Sequence, residues 1–190
     1  GVEMIQGRAT LAGPQEVEVA GDGRKARRLR AENILLATGS EPVAPKGMAF
    51  DERRILSSTA ALALEEVPKR LGVVGGGYIG LELGSVWLRL GAEVTVLEMA
   101  PRIAAGLDGQ VGRTLERILK KQGMDIRLRA TVTGVEIKGA AVEVNVKGKD
   151  GEERLRFDRL LVCVGRRPLT RDLGLEKLGI EVDPRSGHIR

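Results

Sequence analysis

The stretch Gly75-Gly76-Gly77-Tyr78-Ile79-Gly80 decides the fold. It follows the apolar run Leu71-Gly72-Val73-Val74, and an apolar-faced segment, residues 78–90, continues from it until Gly91. Glycines at 75, 77 and 80 fit the pattern G-x-G-x-x-G, in which each answers a separate steric demand. The first allows a tight strand-to-helix turn, the second lets backbone approach a pyrophosphate, and the third lets the helix sit close on the sheet. The helix then begins with unpaired N–H groups and the positive end of its dipole, which stabilise an anion.

A hexapeptide of this kind is weak evidence alone, and its surroundings strengthen it. Residues 93–97 read as a second apolar strand that ends in Glu98, 23 residues beyond Gly75. An acidic residue about 20 positions on is the expected partner of the adenosine ribose hydroxyls. A 2′-phosphate about 4 Å from that carboxylate would meet a repulsion of about 4 kcal/mol per unit charge at an effective dielectric of about 20, an upper-end figure. NAD is therefore expected in preference to NADP. Arg102 is expected to position the following loop or to face solvent, because Met99 and Ala100, and not a basic pair, come directly after Glu98.

The same alternation extends downstream. Residues 108–122 read as a second helix stopped by Gly123, and residues 124–128 as a third strand. Strands alternating with helices of this length indicate a parallel sheet. Residues 131–137, 141–146 and 153–157 alternate apolar and polar positions, the mark of an antiparallel meander, with turns at Lys138-Gly139 and Asp150-Gly151. The apolar run 160–164 is suited to return into the buried sheet. Upstream, residues 3–11, 16–20 and 33–37 read as short strands, with a turn at Gly21-Asp22-Gly23. Ser57-Ser58-Thr59 can cap a short helix to about residue 64, and Pro68 marks a domain boundary. The fold class is α/β: a Rossmann-like domain with a parallel sheet and a β-meander, preceded by part of another domain.

Composition narrows the function classes. A net charge of +5 comes from 31 basic against 26 acidic residues, with one basic cluster, Arg24-Lys25-Ala26-Arg27-Arg28, read as a solvated loop. Aromatic residues make up 2% of the chain, too few for single-strand stacking platforms, so nucleic acid is not an expected partner. No apolar run approaches the roughly 20 residues of a membrane helix. No secretory leader pattern is visible at the start, which leads to a cytoplasmic expectation. Cys163, the single cysteine, lies in an apolar run and is expected to be a buried structural thiol. No metal site is expected, and His188 is given no role.

Three separated stretches resemble one family. The run from Leu56-Ser57-Ser58-Thr59 through the glycines to Leu81-Glu82-Leu83-Gly84 and on to Val94-Thr95-Val96-Leu97-Glu98 is similar to the dihydrolipoamide dehydrogenases, which are FAD-dependent pyridine nucleotide–disulfide oxidoreductases. Ala37-Thr38-Gly39-Ser40 resembles that family's motif closing over FAD. Val162-Cys163-Val164-Gly165-Arg166-Arg167-Pro168 resembles its strand and turn near both cofactors. The resemblance implies cofactor-binding roles for Thr38, Gly39, Gly75, Gly77, Tyr78, Ile79, Gly80, Glu82, Glu98 and Gly165. Glu82 would face the nicotinamide-side ribose, and Tyr78 and Ile79 would lie toward the flavin–nicotinamide contact.

The resemblance also implies an internal fragment: residues 1–66 as the trailing part of a split FAD-binding domain, 67–185 as the NAD-binding domain, and 186–190 as the start of a returning FAD-domain segment. The parent would be a homodimer serving a 2-oxo acid dehydrogenase complex. This chain would bind NAD(H) and carry no catalytic residue, since one cysteine cannot perform dithiol chemistry. Alternatives are a mercuric reductase, a soluble transhydrogenase or an NADH oxidase of the same family, or a stand-alone NAD-binding module.

Overall fold

The computed structural model describes residues 1–21, 24–149 and 151–190, with the side chain of Arg24 left aside. In chain order its elements are β1 (Arg8–Gly13), β2 (Glu16–Gly21), β3 (Arg24–Arg30), β4 (Ser40–Pro42), β5 (Ile55–Leu56), α1 (Ser58–Leu62), β6 (Arg70–Val74) and α2 (Tyr78–Arg89). They continue as β7 (Glu93–Glu98), α3 (Gly109–Lys121), β8 (Asp125–Leu128), β9 (Thr131–Lys138), β10 (Ala141–Gly148), β11 (Gly151–Phe157), β12 (Arg159–Val162) and β13 (Arg166–Pro168). A 3-10 turn at Glu176–Leu178 lies near the end. The chain divides into two compact units, one of Gly1–Glu41 with Arg166–Arg190 and the other of Pro42–Gly165.

The larger unit is built on a five-stranded parallel sheet in the order β5-β12-β6-β7-β8. Both faces are covered, which is why its strands read as near-continuous apolar runs. One face carries Leu71, Val73, Val96 and Leu161 against Leu81, Trp87 and Leu119 of the helices. The opposite face carries Val74, Leu97, Leu160 and Val162 against Val142, Val144, Val146 and Phe157 of the meander β11-β10-β9. Gly72 follows from that layering, since a Cβ there would lie 2.7 Å from Phe157 Cδ2 and 2.8 Å from Leu160 Cδ1. The helices end where the glycines predict, with Gly91 and Gly123 at φ of 107° and 102°. Asp108 caps α3 by accepting from the N–H groups of Gln110 and Val111.

The sheet order fixes where a ligand can bind. Strands β6, β7 and β8 step outward in one direction, while β12 and β5 lie on the other side of β6. The strand order therefore reverses between β6 and β12, and the crevice at their carboxyl ends is where open α/β sheets take ligands. The glycine stretch leaves β6 at that crevice.

The segment joining β4 to β5 is pinned by Asp51. Its Oδ1 accepts from the N–H groups of Arg53, Arg54 and Ile55 at 3.0, 2.7 and 2.8 Å. Partial burial works against its ionisation, but those three donors and the charge of Arg54 hold the carboxyl below its usual range. Because the folded-state pKa is depressed, the stabilisation is complete above the unfolded value of about 3.9 and is lost as pH falls through the folded one. Asp51→Ala is expected to cost about 1–2 kcal/mol at neutral pH, the scale of a lost cap. The deficit should shrink in acid, and urea unfolding at pH 7 and pH 3 checks both expectations.

The smaller unit holds the antiparallel sheet β1-β2-β3 and the β4–β13 pair. The basic cluster read as a loop is instead strand β3. It lacks apolar alternation because cross-strand charge pairs replace it: Arg28 stands opposite Glu18 and Arg30 opposite Glu16, and both pairs are ion-paired. The first strand begins at Arg8 and not at Glu3. Residues 33–37 form no regular element, and Leu35 is 90% exposed. A strand requires a paired neighbour, and none of the described strands pairs with this segment. Of the expected turns, Asp22-Gly23 and Asp150 lie outside the described residues.

The compact units also divide at different points from the boundaries read at 67 and 185. The sheet unit starts earlier because β5 pairs with β12, and it ends earlier because β13 pairs with β4.

Candidate nucleotide-binding site

The glycine loop is built by contacts that only hydrogen atoms can satisfy. Gly75 has a φ of 103° and its N–H donates to the Leu97 carbonyl at 2.9 Å. A Cβ on it would stand 2.4 Å from the Cys163 carbonyl oxygen at the end of β12. Gly80, in the first turn of α2, would place a Cβ 2.3 Å from the Gly75 carbonyl oxygen. Gly77 differs from both: beyond its own residue and its two chain neighbours, no atom lies within 4 Å of its Cβ position. That residue is the extended N-cap of α2 and has no side chain to cap the helix. The first-turn N–H groups of α2 thus have no side-chain cap, and unpaired donors at a helix start have the polarity to take a phosphate.

Glu98 closes one side of this loop. Its Oε2 accepts from the Gly76 N–H and its Oε1 from the Ala100 N–H, both at 2.6 Å. Each carboxylate oxygen retains a lone pair for a further donor, as a ribose diol requires. The Gly76 carbonyl in turn accepts from the Ala104 N–H at 2.8 Å. Ala104 has a φ of 47° and Ile103 beside it is fully buried, so the segment after β7 folds back onto the glycine loop. Arg102 donates to the Ala105 carbonyl at 2.8 Å and so positions this same segment.

The remaining expected residues fall in two groups. Tyr78 is 70% exposed at the start of α2, Ile79 is half-buried beside it, and Glu82 is exposed one turn along the same helix face. Gly165 is exposed just beyond β12, and its carbonyl accepts from the Val43 N–H at 3.0 Å. These belong to the unit that carries the glycine loop. Thr38 and Gly39 belong to the other unit, where they join the stretch after Gly165: Thr38 Oγ1 donates to the Leu169 carbonyl at 2.6 Å, and the Leu169 N–H donates to the Gly39 carbonyl at 3.0 Å. Arg166 Nε donates to Ser40 Oγ at 2.8 Å, and Arg167 pairs with Glu41. Two motifs separated by more than a hundred residues are thus one structure.

Cys163 is half-buried, not buried, because β12 ends at Val162 and the chain turns at the crevice. Among the described residues no cluster of three or more His, Cys, Asp or Glu could hold a metal, and no helix is long and apolar enough to cross a membrane. Sequence reasoning overlooked Gly76, Ile103 and Ala104. Gly76 lies in an x position of the motif, and neither Ile103 nor Ala104 carries a local signal for its conformation.

Comparison with known proteins agrees with this architecture. The sequence pattern described as pyridine nucleotide-disulphide oxidoreductase matches residues 1–189. The chain belongs to that family. Among curated relatives, dihydrolipoyl dehydrogenase 3 of Pseudomonas aeruginosa is 50% identical over 187 residues, 97% of this chain and 40% of that protein. The mitochondrial dihydrolipoyl dehydrogenase of Schizosaccharomyces pombe is 43% identical over 185 residues, 96% of this chain and 36% of that protein. Among solved structures, the HOCl-induced flavoprotein disulfide reductase RclA of Escherichia coli superposes with a TM-score of 0.81 at 32% identity, covering 96% of this chain and 40% of that one. LpdA of Mycobacterium tuberculosis gives 0.84 at 27% identity, covering 97% and 40%. This member of the pyridine nucleotide-disulphide oxidoreductases spans 36–40% of the length of these curated relatives.

Proposed function

We propose that this chain is the NAD(H)-binding portion of a flavoprotein disulfide oxidoreductase of the dihydrolipoamide dehydrogenase type. The observation that carries the reading is the Glu98 carboxylate held 2.6 Å from the Gly76 N–H, beside an uncapped helix start and the open space at Gly77. The pyrophosphate would sit on the first turn of α2, and the adenosine ribose hydroxyls would donate to Glu98. Tyr78, Ile79 and Glu82 would border the nicotinamide half. The sheet unit is then the nucleotide-binding part, and the unit containing Thr38 and Gly39 belongs to an FAD-binding domain completed by the parent.

In the parent, a dihydrolipoyl dithiol gives two electrons and two protons to a protein disulfide, and NAD+ leaves as NADH with one proton released. The cofactors supply the electron transfer. This chain binds and orients the nucleotide, and its single cysteine leaves the dithiol step to residues outside it. A homodimer, a 2-oxo acid dehydrogenase complex and a cytoplasmic location are proposals for the parent on the same footing. Several relatives carry a mitochondrial designation, so imaging the tagged parent decides between compartments. The higher identity to dihydrolipoyl dehydrogenases favours this substrate class over that of RclA.

Trp87, the only tryptophan, reports binding directly. It lies nine residues along α2 from Tyr78, about 14 Å along the helix axis, and its emission overlaps NADH absorption. Saturable quenching by NADH, much weaker quenching by NADPH and no lipoamide turnover are expected. Equal affinity for the two nucleotides would overturn the role of Glu98, and an absence of binding would overturn the site.

A further inference from the structure

Arg54 Nε is buried and has no hydrogen-bond partner among the described residues, although Arg54 as a whole is half-buried. A buried donor on a charged group is costly to leave unmet, so it calls for an acceptor. The neighbouring strand sharpens that demand. Leu160 pairs with Ile55, and its N–H donates to the Arg54 carbonyl at 2.7 Å, so Arg159 and Arg54 hold adjoining positions at the starts of β12 and β5. The alternation that puts Leu56 and Leu161 in the helix-side core puts both arginines on that same side, on strands about 4.8 Å apart. Arg159 is half-buried too, and its Nη1 donates to the Asp158 carbonyl at 2.9 Å.

No carboxylate answers this pair. Neither guanidinium has an ion-pair partner among the described residues. Asp158 is taken up by Arg70, accepting from its N–H at 2.9 Å and from its guanidinium at 3.4 Å. Glu52 accepts from the Ser57 N–H at 2.9 Å, and Asp51, which feels the charge of Arg54, already holds three backbone N–H groups. Like charges on adjoining strand positions repel, and a partly buried cation without a counter-charge is costly. An oxyanion relieves both, because the planar guanidinium fork matches its oxygens.

We propose that Arg54 and Arg159 form a binding site for a phosphate group at the amino end of the parallel sheet. The glycine loop lies at the other end. Strand β12 starts at Arg159, and about 13 Å of extended chain separates that residue from Cys163, which borders Gly75. The site is therefore separate from the nucleotide crevice and does not rest on the reading proposed above.

The test follows arginine Nε–Hε and backbone amide resonances of the 15N-labelled chain as inorganic phosphate, and separately glycerol phosphate, replaces chloride at constant ionic strength. Saturable shifts of the Arg54 and Arg159 Nε–Hε signals, together with the Leu160 amide, are expected. Phosphate taken up at the start of α2 would instead move Gly77 and Tyr78, so the two sites are read apart. Arg54→Leu and Arg159→Leu should each weaken binding at the arginine pair about tenfold or more, the effect of one charge-assisted hydrogen bond. Arg53→Leu, at the exposed position beside the pair, should leave it unchanged. Tighter binding of glycerol phosphate than of the free ion assigns the site to a phosphate monoester, and the reverse assigns it to inorganic phosphate. In chloride the two leucine variants should melt no lower than the unaltered chain, since each removes an unpaired cation. No shift at either arginine, or equal affinity in the unaltered chain and both leucine variants, would overturn the proposal. So would a phosphate-induced rise in melting midpoint shared by every variant, the general effect of an excluded salt. If a leucine variant fails to fold, Arg159→Gln decides, because it keeps a polar side chain and loses the charge: unaltered phosphate affinity there overturns the proposal.

Discussion

Gly75→Ala is expected to abolish the proposed NADH binding and to lower the melting midpoint on the order of 10 °C, whereas Gly77→Ala is expected to weaken binding and leave the midpoint in place. The two glycines sit two residues apart and differ in what surrounds them. At Gly75 an added methyl meets the Cys163 carbonyl oxygen at 2.4 Å, and the φ of 103° is one that alanine resists. Both residues directly follow the last paired positions of β6 and β12, Val74 opposite Val162, so relief pulls on those strand ends. The combined strain and clash cost about 3 kcal/mol or more. At Gly77 the methyl enters unoccupied space in an extended conformation and costs the fold nothing. It would fill the room through which the proposed pyrophosphate reaches the helix N–H groups. Differential scanning fluorimetry with NADH titration separates the two outcomes. Similar midpoints for both variants would contradict the account of the loop.

Glu98→Ala is expected to lower the affinity for NADH about tenfold to a hundredfold and to leave that for NADPH unchanged or raised. The loss corresponds to one or two hydrogen bonds from ribose hydroxyls to an ionised acceptor, each about 1.5–3 kcal/mol before non-additivity. The relative gain for NADPH follows from removing a repulsion of up to about 4 kcal/mol per unit charge at close range. Glu98 also accepts from Gly76 and Ala100, so the variant loosens the loop by a smaller amount. Titrations at two salt concentrations distinguish the contributions, because only the charge-dependent part of the NADPH change is screened. A parallel loss for both nucleotides would show that Glu98 merely holds the loop.

Much of this was legible in the sequence, and the exceptions share a cause. Each parallel strand that was read announced itself by an apolar run, because both of its faces are buried. The meander announced itself through Val142, Val144 and Val146, all facing one core. Helix ends were legible because Gly91 and Gly123 adopt positive φ, a local requirement that a local residue meets. Strand β3 was not, since its pairing rests on charges opposite Glu16 and Glu18, and a basic run looks the same in a strand and in a loop. Residues 33–37 carry a strand's composition without a neighbour to pair with. The two-residue strand β5 is too short to show a period.

At the candidate site, the three motif glycines were legible because one turn of backbone dictates their spacing, and Glu98 because it ends the apolar strand that follows α2. The inward fold of Ile103 and Ala104 onto Gly76 was not. Its causes are long-range: a buried side chain and one backbone hydrogen bond, neither of which leaves a pattern in the chain.

The most direct test of the central claim is an amide NMR titration of the 15N-labelled chain with NAD+ and, in parallel, NADP+. NAD+ is expected to move the resonances of Gly76, Gly77, Tyr78 and Ile79 together with that of Ala100, whose N–H shares the Glu98 carboxylate. NADP+ should move them less at equal concentration. Shifts centred elsewhere, or none at the start of α2 under saturating NAD+, would contradict the assignment of the glycine loop as the nucleotide site.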